Sequence, residues 1–167
     1  HFAVIFDSAR KTFRNEIYSD YKANRAEAPD DLAPQFDYIR KSVLAFNLPS
    51  IELINYEADD LIATYVDKIL ERGAKVTIVS SDKDLMQLYK RDVRIFDPMK
   101  NKFIGEEDVR KKFGVDSSKV IDVQALAGDS SDNVPGVPGI GVKTAAELIN
   151  RYGNLEKLLR SVHEIKQ

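Results

Sequence analysis

The sequence predicts an α/β fold: a mainly parallel sheet flanked by helices, followed by a helical subdomain at the C-terminal end. Up to about residue 105, short apolar runs of strand length alternate with longer segments of helical periodicity. From Glu106 onward, only helical segments separated by tight loops follow. We therefore expect an α/β core over residues 1–105 and a helical subdomain over residues 106–167.

Five segments have the apolar character of buried strands. The clearest is Lys75–Val79, where β-branched residues form a continuous run. The last two segments flank a turn at Asp97–Asn101, so we expect them to pair as a hairpin. The five predicted strands are Ala3–Phe6, Ile51–Ile54, Lys75–Val79, Arg94–Phe96 and Lys102–Ile104.

Two long helices are predicted within the core and four shorter ones after it. Asp30 or Asp31 caps the first, which Pro49 stops. Glu57 opens the second, which keeps helical spacing until Gly73 ends it. The later helices are residues 106–113 closed by Gly114, 117–127, 142–152 closed by Gly153, and a last one from Leu155.

Composition excludes several classes of protein. Hydrophobic residues make up 43% of the chain and charged residues 31%, which indicates a buried core with a solvated surface. No apolar run approaches the roughly eighteen residues of a membrane span, so no membrane partner is expected. The chain has no Cys, which excludes disulfides and thiolate metal sites and fits a reducing compartment.

A net charge of −2 conceals a segregation of charge along the chain. Between residues 10 and 25, five cations face two acids, with three aromatic residues among them. Such a stretch suits a single-stranded nucleic acid, because cations hold its phosphates while aromatic rings stack on unpaired bases. A solvated helix face is an equally good interpretation. The cations are Arg10, Lys11, Arg14, Lys22 and Arg25, and the aromatic residues are Phe13, Tyr18 and Tyr21.

Acidic residues recur where the predicted strands and helices begin or end. The carboxyl ends of parallel strands share one crevice, so we expect Asp7, Asp82 and Asp84 to meet at one edge of the sheet. The full set is Asp7 after a strand, Glu57, Asp59 and Asp60 at a helix start, Asp82 and Asp84 after a strand, and Asp129 and Asp132 in a loop.

Each of these acids, taken singly, is also explained as a helix cap or an Asx turn. Taken together, so many converging carboxylates would repel one another unless a cation neutralised them. Oxygen ligands without Cys or a suitably placed His favour Mg²⁺ or Mn²⁺ over zinc. Two such ions bridged by carboxylates form a known arrangement for phosphodiester hydrolysis.

A glycine-rich hairpin over residues 136–145 is the second strong signal. Its glycines allow the backbone to approach a ligand closely, and the helix that follows presents N–H groups and a positive dipole end. Such an assembly holds a phosphate without reading a base. The alternative is a tight loop between packed helices. The residues of interest are Gly136, Gly139, Gly141, Lys143 and Thr144.

Seven blocks of the sequence, in this order, resemble the flap endonuclease (5′-nuclease) family, and most closely the 5′–3′ exonuclease domain of bacterial DNA polymerase I. The match covers nearly the whole chain, and its fourth and sixth blocks followed by the hairpin are highly specific in combination. The blocks are Phe6-Asp7, Phe13-Arg14, Tyr21-Lys22-Ala23-Asn24-Arg25, Glu57-Ala58-Asp59-Asp60, Ser81-Asp82-Lys83-Asp84, Gly128-Asp129-Ser130-Ser131-Asp132-Asn133 and residues 136–145.

The resemblance implies a structure-selective nuclease that hydrolyses DNA near 5′ ends or flaps, in replication and repair. It implies that the acids named above form a site for two Mg²⁺ or Mn²⁺ ions, with seven of them around the ions and Asp7 close by. Lys22 and Arg25, on a basic helical arch over about residues 10–28, would be the catalytic cations that hold the scissile phosphate. Tyr21 would stack on the terminal base, and Arg14 would bind DNA.

For the hairpin, the resemblance implies a helix–hairpin–helix element that grips duplex DNA, with K⁺ on its backbone carbonyls. The implied partners are DNA with 5′ flaps, nicks or duplex–single-strand junctions, and the polymerase domains of the same parent chain. The implied location is the bacterial cytoplasm, at the nucleoid.

One part of the family pattern is missing from the 167 residues. The family begins with a strand that bears an Asp ligand, ahead of the strand that ends at Asp7. We therefore expect either a fragment of a longer protein or a degenerate form. Two alternatives to a nuclease of DNA follow: a catalytically inactive DNA-binding module, and an RNA-directed nuclease of related architecture.

Overall fold

The computed structural model describes residues 1–164, which form an α/β protein as the sequence predicts. The chain divides into two units. The first unit comprises His1–Tyr65 together with Ser131–Asn133, and the second comprises Val66–Ser130 together with the residues from Val134 onward.

The strands of the first unit are short and pair in parallel. Strand β1 (Val4–Ile5) lies beside β2 (Ser50–Ile51), with Val4 opposite Ser50. Helices α1 (Phe13–Ile17) and α2 (Gln35–Ala45) lie between these strands in sequence, and α3 (Ala58–Glu71) follows them. In the described part of this unit, Leu61 is the only buried hydrophobic residue. Polar contacts therefore contribute much of its organisation.

Helix α2 begins later than predicted. Residues 30–34 form a turn, in which the backbone N–H groups of Leu32 and Ala33 donate to the carbonyl of Pro29. Pro34, with φ −65°, occupies the N-cap position that we expected of Asp30 or Asp31. A proline has its φ fixed near the helical value, so it suits the start of a helix.

The second unit contains a three-stranded sheet. Strand β3 (Val76–Val79) pairs in parallel with β4 (Val93–Asp97), which pairs antiparallel with β5 (Lys102–Ile104). The predicted hairpin is therefore confirmed. Its α-helices are α4 (Glu106–Phe113), α5 (Val120–Ala127), α6 (Val142–Tyr152) and α7 (Leu155–Arg160), and its 3₁₀ turns are Asp84–Leu88, Ser117–Lys119 and Val162–Glu164.

The described strands form two sheets rather than one. Asp7 follows β1 of the two-stranded sheet, whereas Asp82 and Asp84 follow β3 of the three-stranded sheet. These three acids therefore do not follow strands of one sheet, and the prediction that they share one sheet edge is wrong. Strand β2 ends at Ile51 ahead of a turn, and among residues 1–164 its ladder partner is β1 alone, so no ladder joins it to β3.

Local signals set the ends of the helices in the second unit. Helix α4 ends at Gly114, with φ +74°, and α6 runs from the N-cap Gly141 to Gly153. Ala145, Ala146 and Ile149 of α6 are buried, as are several residues of α5. No helix in residues 1–164 combines the length and apolarity required to traverse a bilayer.

Candidate functional site

Two acids of the first unit are bound to the backbone at the start of α3. The Asp7 carboxylate accepts a hydrogen bond from the Ala58 N–H at 2.7 Å, and the Asp60 carboxylate accepts one from the Glu57 N–H at 3.0 Å. Negative charge is favourable at this end of a helix because its first N–H groups have no intrahelical partner. Asp59 is half-buried in the same helical turn. The capping role considered from sequence therefore applies to Asp7 and Asp60.

Arg14 forms a two-pronged ion pair with Asp60. Its guanidinium donates to both carboxylate oxygens, at 2.7 and 2.8 Å. This hydrogen bonding lowers the pKa of Asp60, although partial burial acts in the opposite direction. Arg14, which the resemblance assigned to DNA, thus neutralises an acid of its own unit.

Tyr21, Lys22 and Arg25 converge on the carboxylates of Glu57 and Asp132. The Lys22 ammonium lies 2.9 Å from Glu57 and 3.8 Å from Asp132, and Arg25 donates to Asp132. The Tyr21 hydroxyl lies 3.1 Å from an oxygen of each acid. Burial raises the pKa of Tyr21, and the charges of the two acids act in the same direction. The phenol therefore keeps its proton.

Lys22 and Arg25 do not lie on a helix, which corrects the expectation of a helical arch at these positions. Helix α1 ends at Ile17, and residues 19–24 form turns. Lys22 has φ +57°, which a right-handed helix excludes, and its N–H donates to the carbonyl of Asp132 at 2.8 Å. A long-range contact therefore determines the local backbone here.

The second unit holds three more acids of the predicted set. The Asp129 carboxylate accepts a hydrogen bond from the Lys83 ammonium at 2.6 Å, and the Asp84 carboxylate accepts one from the Gln124 amide at 2.6 Å. Asp82 accepts a hydrogen bond from the Asp84 N–H at 2.8 Å. Burial raises the pKa of Asp84, and the charges of Asp82 and Asp129 add to that effect, while Gln124 opposes it. This group concentrates negative charge.

The acids of both units offer carboxylate oxygens, which are the ligands that a hard divalent cation prefers. The raised pKa of Asp84 points the same way, because a nearby cation would favour the charged carboxylate that burial, together with the charges of Asp82 and Asp129, disfavours. Within residues 1–164, however, no three His, Asp or Glu side chains are arranged so that they could hold an ion together. In both groups a Lys or Arg lies against the carboxylates. Metal ligation by the eight acids stays a prediction.

The glycine hairpin connects α5 to α6. Gly136 packs so closely against the backbone of Ala127 and Gly128 that an added Cβ would lie 2.3 Å from a backbone atom. Gly139 and Gly141, in contrast, face open space, and Lys143 and Thr144 are exposed in the first turn of α6. No side chain caps this helix, and no acid lies in its first turn. The hairpin thus has a tightly packed base and an open tip.

Sequence reasoning missed two residues that contact the candidate acids. Lys83 lies between Asp82 and Asp84, so a cation within an acidic block was a signal available in the sequence. Gln124 had no such signal, because a Gln on a short helix is ordinary surface composition. It lies 40 positions from the acid that it contacts, so only the fold reveals the contact.

Comparison with known proteins covers the entire chain. A family described as "5′–3′ exonuclease, N-terminal resolvase-like domain" matches residues 1–114, and one described as "5′–3′ exonuclease, C-terminal SAM fold" matches residues 115–167. A DNA polymerase I of Rhizobium leguminosarum is 58% identical over all of this chain, which spans 16% of that protein. A 5′–3′ exonuclease of Aquifex aeolicus is 44% identical over 96% of the chain, which spans 56% of it.

Solved structures also match. The T5 5′-exonuclease with bound zinc has a TM-score of 0.84 and 27% identity, over 96% of this chain and 63% of its own. A bacteriophage T5 flap endonuclease, solved as a pseudo-enzyme–product complex with DNA and metal ions, matches with the same TM-score, identity and coverage. The chain therefore spans less than two thirds of each of these relatives.

Proposed function

The chain belongs to the 5′–3′ exonuclease family, and we propose that it is a structure-selective 5′-nuclease module that hydrolyses DNA phosphodiesters near 5′ ends or flaps. One observation carries the proposal: the cations that would hold a phosphate lie in direct contact with the carboxylates that would hold a metal. Lys22 contacts both Glu57 and Asp132, and Arg25 contacts Asp132; the side chains of Lys22 and of the two acids are each less than one fifth exposed. The solved flap endonuclease that binds DNA and metal ions supports this reading.

The proposed cofactors are two Mg²⁺ or Mn²⁺ ions, with the eight acids as their ligands. Such ions, when bound, activate the attacking water and stabilise the leaving oxygen. Lys22 and Arg25 would then hold the scissile phosphate by charge-assisted hydrogen bonds, and Tyr21 would offer its ring to the terminal base. Arg14 would act indirectly, since its pairing with Asp60 fixes the start of α3.

The proposed substrates are 5′ flaps, nicks and duplex–single-strand junctions. By analogy with the DNA polymerase I of Rhizobium leguminosarum, the chain would act beside polymerase domains of a longer parent protein, at the bacterial nucleoid. At the hairpin, the backbone carbonyls would bind K⁺, and this ion would assist the binding of a DNA phosphate. The role beside polymerase domains rests on a relative that is longer than the chain, and the K⁺ assignment rests on the family resemblance.

A cleavage assay tests the proposal. The full chain is mixed with a 5′-flap DNA and titrated with Mg²⁺ or Mn²⁺, and cleavage is expected to require the ion. Salt-dependent binding without cleavage at any metal concentration would instead indicate an inactive DNA-binding module. Preferential cleavage of a competing RNA would indicate the RNA-directed alternative.

Asp82→Asn distinguishes two roles of Asp82: binding a metal ion and stabilising the turn that contains Asp84. Asn keeps the oxygen that accepts from the Asp84 N–H, so the turn and the folded state are expected to persist. Cleavage is expected to fall by roughly a hundredfold, because one negative charge of the site is lost. Rates of flap cleavage and thermal melting check both parts. An unchanged rate would remove Asp82 from the proposed site.

Lys143→Ala tests whether the hairpin binds a DNA phosphate. The side chain is exposed in the first turn of α6, so stability is expected to stay within about 0.5 kcal/mol. Affinity for branched DNA should fall, and the slope of its logarithm against salt concentration should decrease by about one. Arg160→Ala, which removes an exposed cation of α7 paired with Glu156, is the matched control. Equal losses of DNA affinity in the two variants would contradict phosphate binding by the hairpin.

A further inference from the structure

We infer that Lys22 is a built-in counter-cation of Glu57 and Asp132, so that its ammonium and a divalent cation compete for the same two carboxylates. The inference deepens the proposed function and rests on it, because it concerns the same acids. It also predicts the sign of an effect: removal of Lys22 should strengthen metal binding, because a positive charge at the two acids disfavours a second cation there.

The position of the ammonium supports this role. It lies 2.9 Å from an oxygen of Glu57 and 3.8 Å from an oxygen of Asp132. The side chains of all three residues are less than one fifth exposed. Two carboxylates so poorly hydrated need a cation between them, since their mutual repulsion would otherwise oppose the folded state.

The neighbouring groups cannot replace Lys22 at Glu57. Tyr21 contacts the same oxygens of Glu57 and Asp132 as Lys22 does, but a phenol has one proton and donates to one acceptor at a time. Arg25 binds the other oxygen of Asp132. Lys22 is therefore the cation that joins the two acids, and a divalent ion with the same two partners would have to displace it.

The backbone around Lys22 is anchored independently of its ammonium. The Lys22 N–H donates to the Asp132 carbonyl at 2.8 Å, and the Asn133 amide donates to the Asp20 carbonyl at 2.7 Å. Lys22 has φ +57°, an unfavourable value for a Lys that persists only where the surroundings impose it. Release of the ammonium therefore needs rotation of a flexible side chain while the turn stays in place.

This arrangement sets the two uses of Lys22 against each other. While the ammonium neutralises Glu57 and Asp132, its charge is already compensated, so it attracts a phosphate less strongly. Once another cation takes over the two acids, the side chain is free to bind a phosphate from the same anchored turn. Ion binding is thus coupled to the availability of Lys22. The direction of this coupling is measured as the change in metal affinity when the ammonium is removed.

The test is metal affinity measured without DNA. Isothermal titration of the full chain with Mg²⁺ and with Mn²⁺ should give a dissociation constant about tenfold lower for Lys22→Met than for the unmodified chain. Without metal, Lys22→Met should melt at a lower temperature, and saturating Mg²⁺ should raise its melting temperature more than that of the unmodified chain. Lys68→Met removes the same charge from an exposed pair with Glu71 and should leave the dissociation constant nearly unchanged.

The outcomes separate the inference from the proposed function. If the unmodified chain binds the ions and Lys22→Met binds them equally or more weakly, the competition is wrong and the metal site stands. If no variant binds either ion, both the metal site and the competition fail. Should Lys22→Met not fold, Lys22→Gln keeps a neutral donor at this position and should show the same direction of change.

Discussion

Asp129→Asn is expected to reduce metal-dependent cleavage of a 5′-flap DNA by at least about a thousandfold. Asn has the shape of Asp but carries no charge, so the change removes one negative charge from a group of three acids. The Lys83 ammonium, 2.6 Å from Asp129, would lose this ionic partner and keep its positive charge beside Asp82 and Asp84. Both effects disfavour a divalent cation at the same place.

The measurement is the single-turnover rate of flap cleavage over a range of Mg²⁺ concentrations. Asp67→Asn is the matched control, because Asp67 is an exposed acid of the same unit paired with Lys90 at 3.4 Å. It should cleave like the unmodified chain. A rate for Asp129→Asn within threefold or so of that control would exclude a ligand role for Asp129.

Sequence predicted those parts of the fold that local chemistry determines. Gly114 ends α4 with a positive φ, and Gly153 ends α6 in the same way, as glycines after helical periodicity indicate. The strand run at residues 75–79 and the hairpin of β4 and β5 follow from β-branched residues and a turn signal. The two helix ends and the hairpin depend on residues close in sequence, whereas β3 also pairs with β4, with Val76 opposite Val93.

Sequence did not predict which cation or amide binds which acid. Arg14 and Asp60 are 46 positions apart, and Arg25 and Asp132 are 107 apart. Several acids in each block are chemically equivalent, so composition and spacing cannot select the pairs. The backbone of Lys22 shows the same limit, since its positive φ accompanies a hydrogen bond to Asp132 rather than any local turn signal.

The candidate site was predictable as a set of residues but not as a geometry. The family resemblance named Glu57, Asp132, Lys22 and Arg25 separately, as ligands and as phosphate-binding cations. The structure places the cations in direct contact with these acids: Lys22 lies against Glu57, and Arg25 lies against Asp132. That contact is the basis for expecting competition rather than independent roles.

Gly136→Ala is expected to lower the free energy of unfolding by about 3 kcal/mol, the largest stability effect of the substitutions considered for the hairpin. The new Cβ would lie 2.3 Å from the Ala127 carbonyl carbon and 2.6 Å from the Gly128 nitrogen. Both are backbone atoms, so no side chain can rotate away to make room. The base of the hairpin would have to separate, and the contact of Val137 N–H with the Leu126 carbonyl at 2.8 Å would be strained.

Two other glycines of the same hairpin provide a graded control. Gly139→Ala meets no atom within 4 Å but places an Ala at φ +82°, which should cost about 1 kcal/mol. Gly141→Ala meets no atom either and has φ −88°, so its effect should stay within about 0.5 kcal/mol. Urea unfolding of the three variants measures the series. Equal losses for Gly136 and Gly141 would contradict the close backbone contact. The expected order implies that the base of the hairpin maintains the fold. A loss of DNA binding is therefore attributable to a lost phosphate contact only when the substitution lies at the open tip.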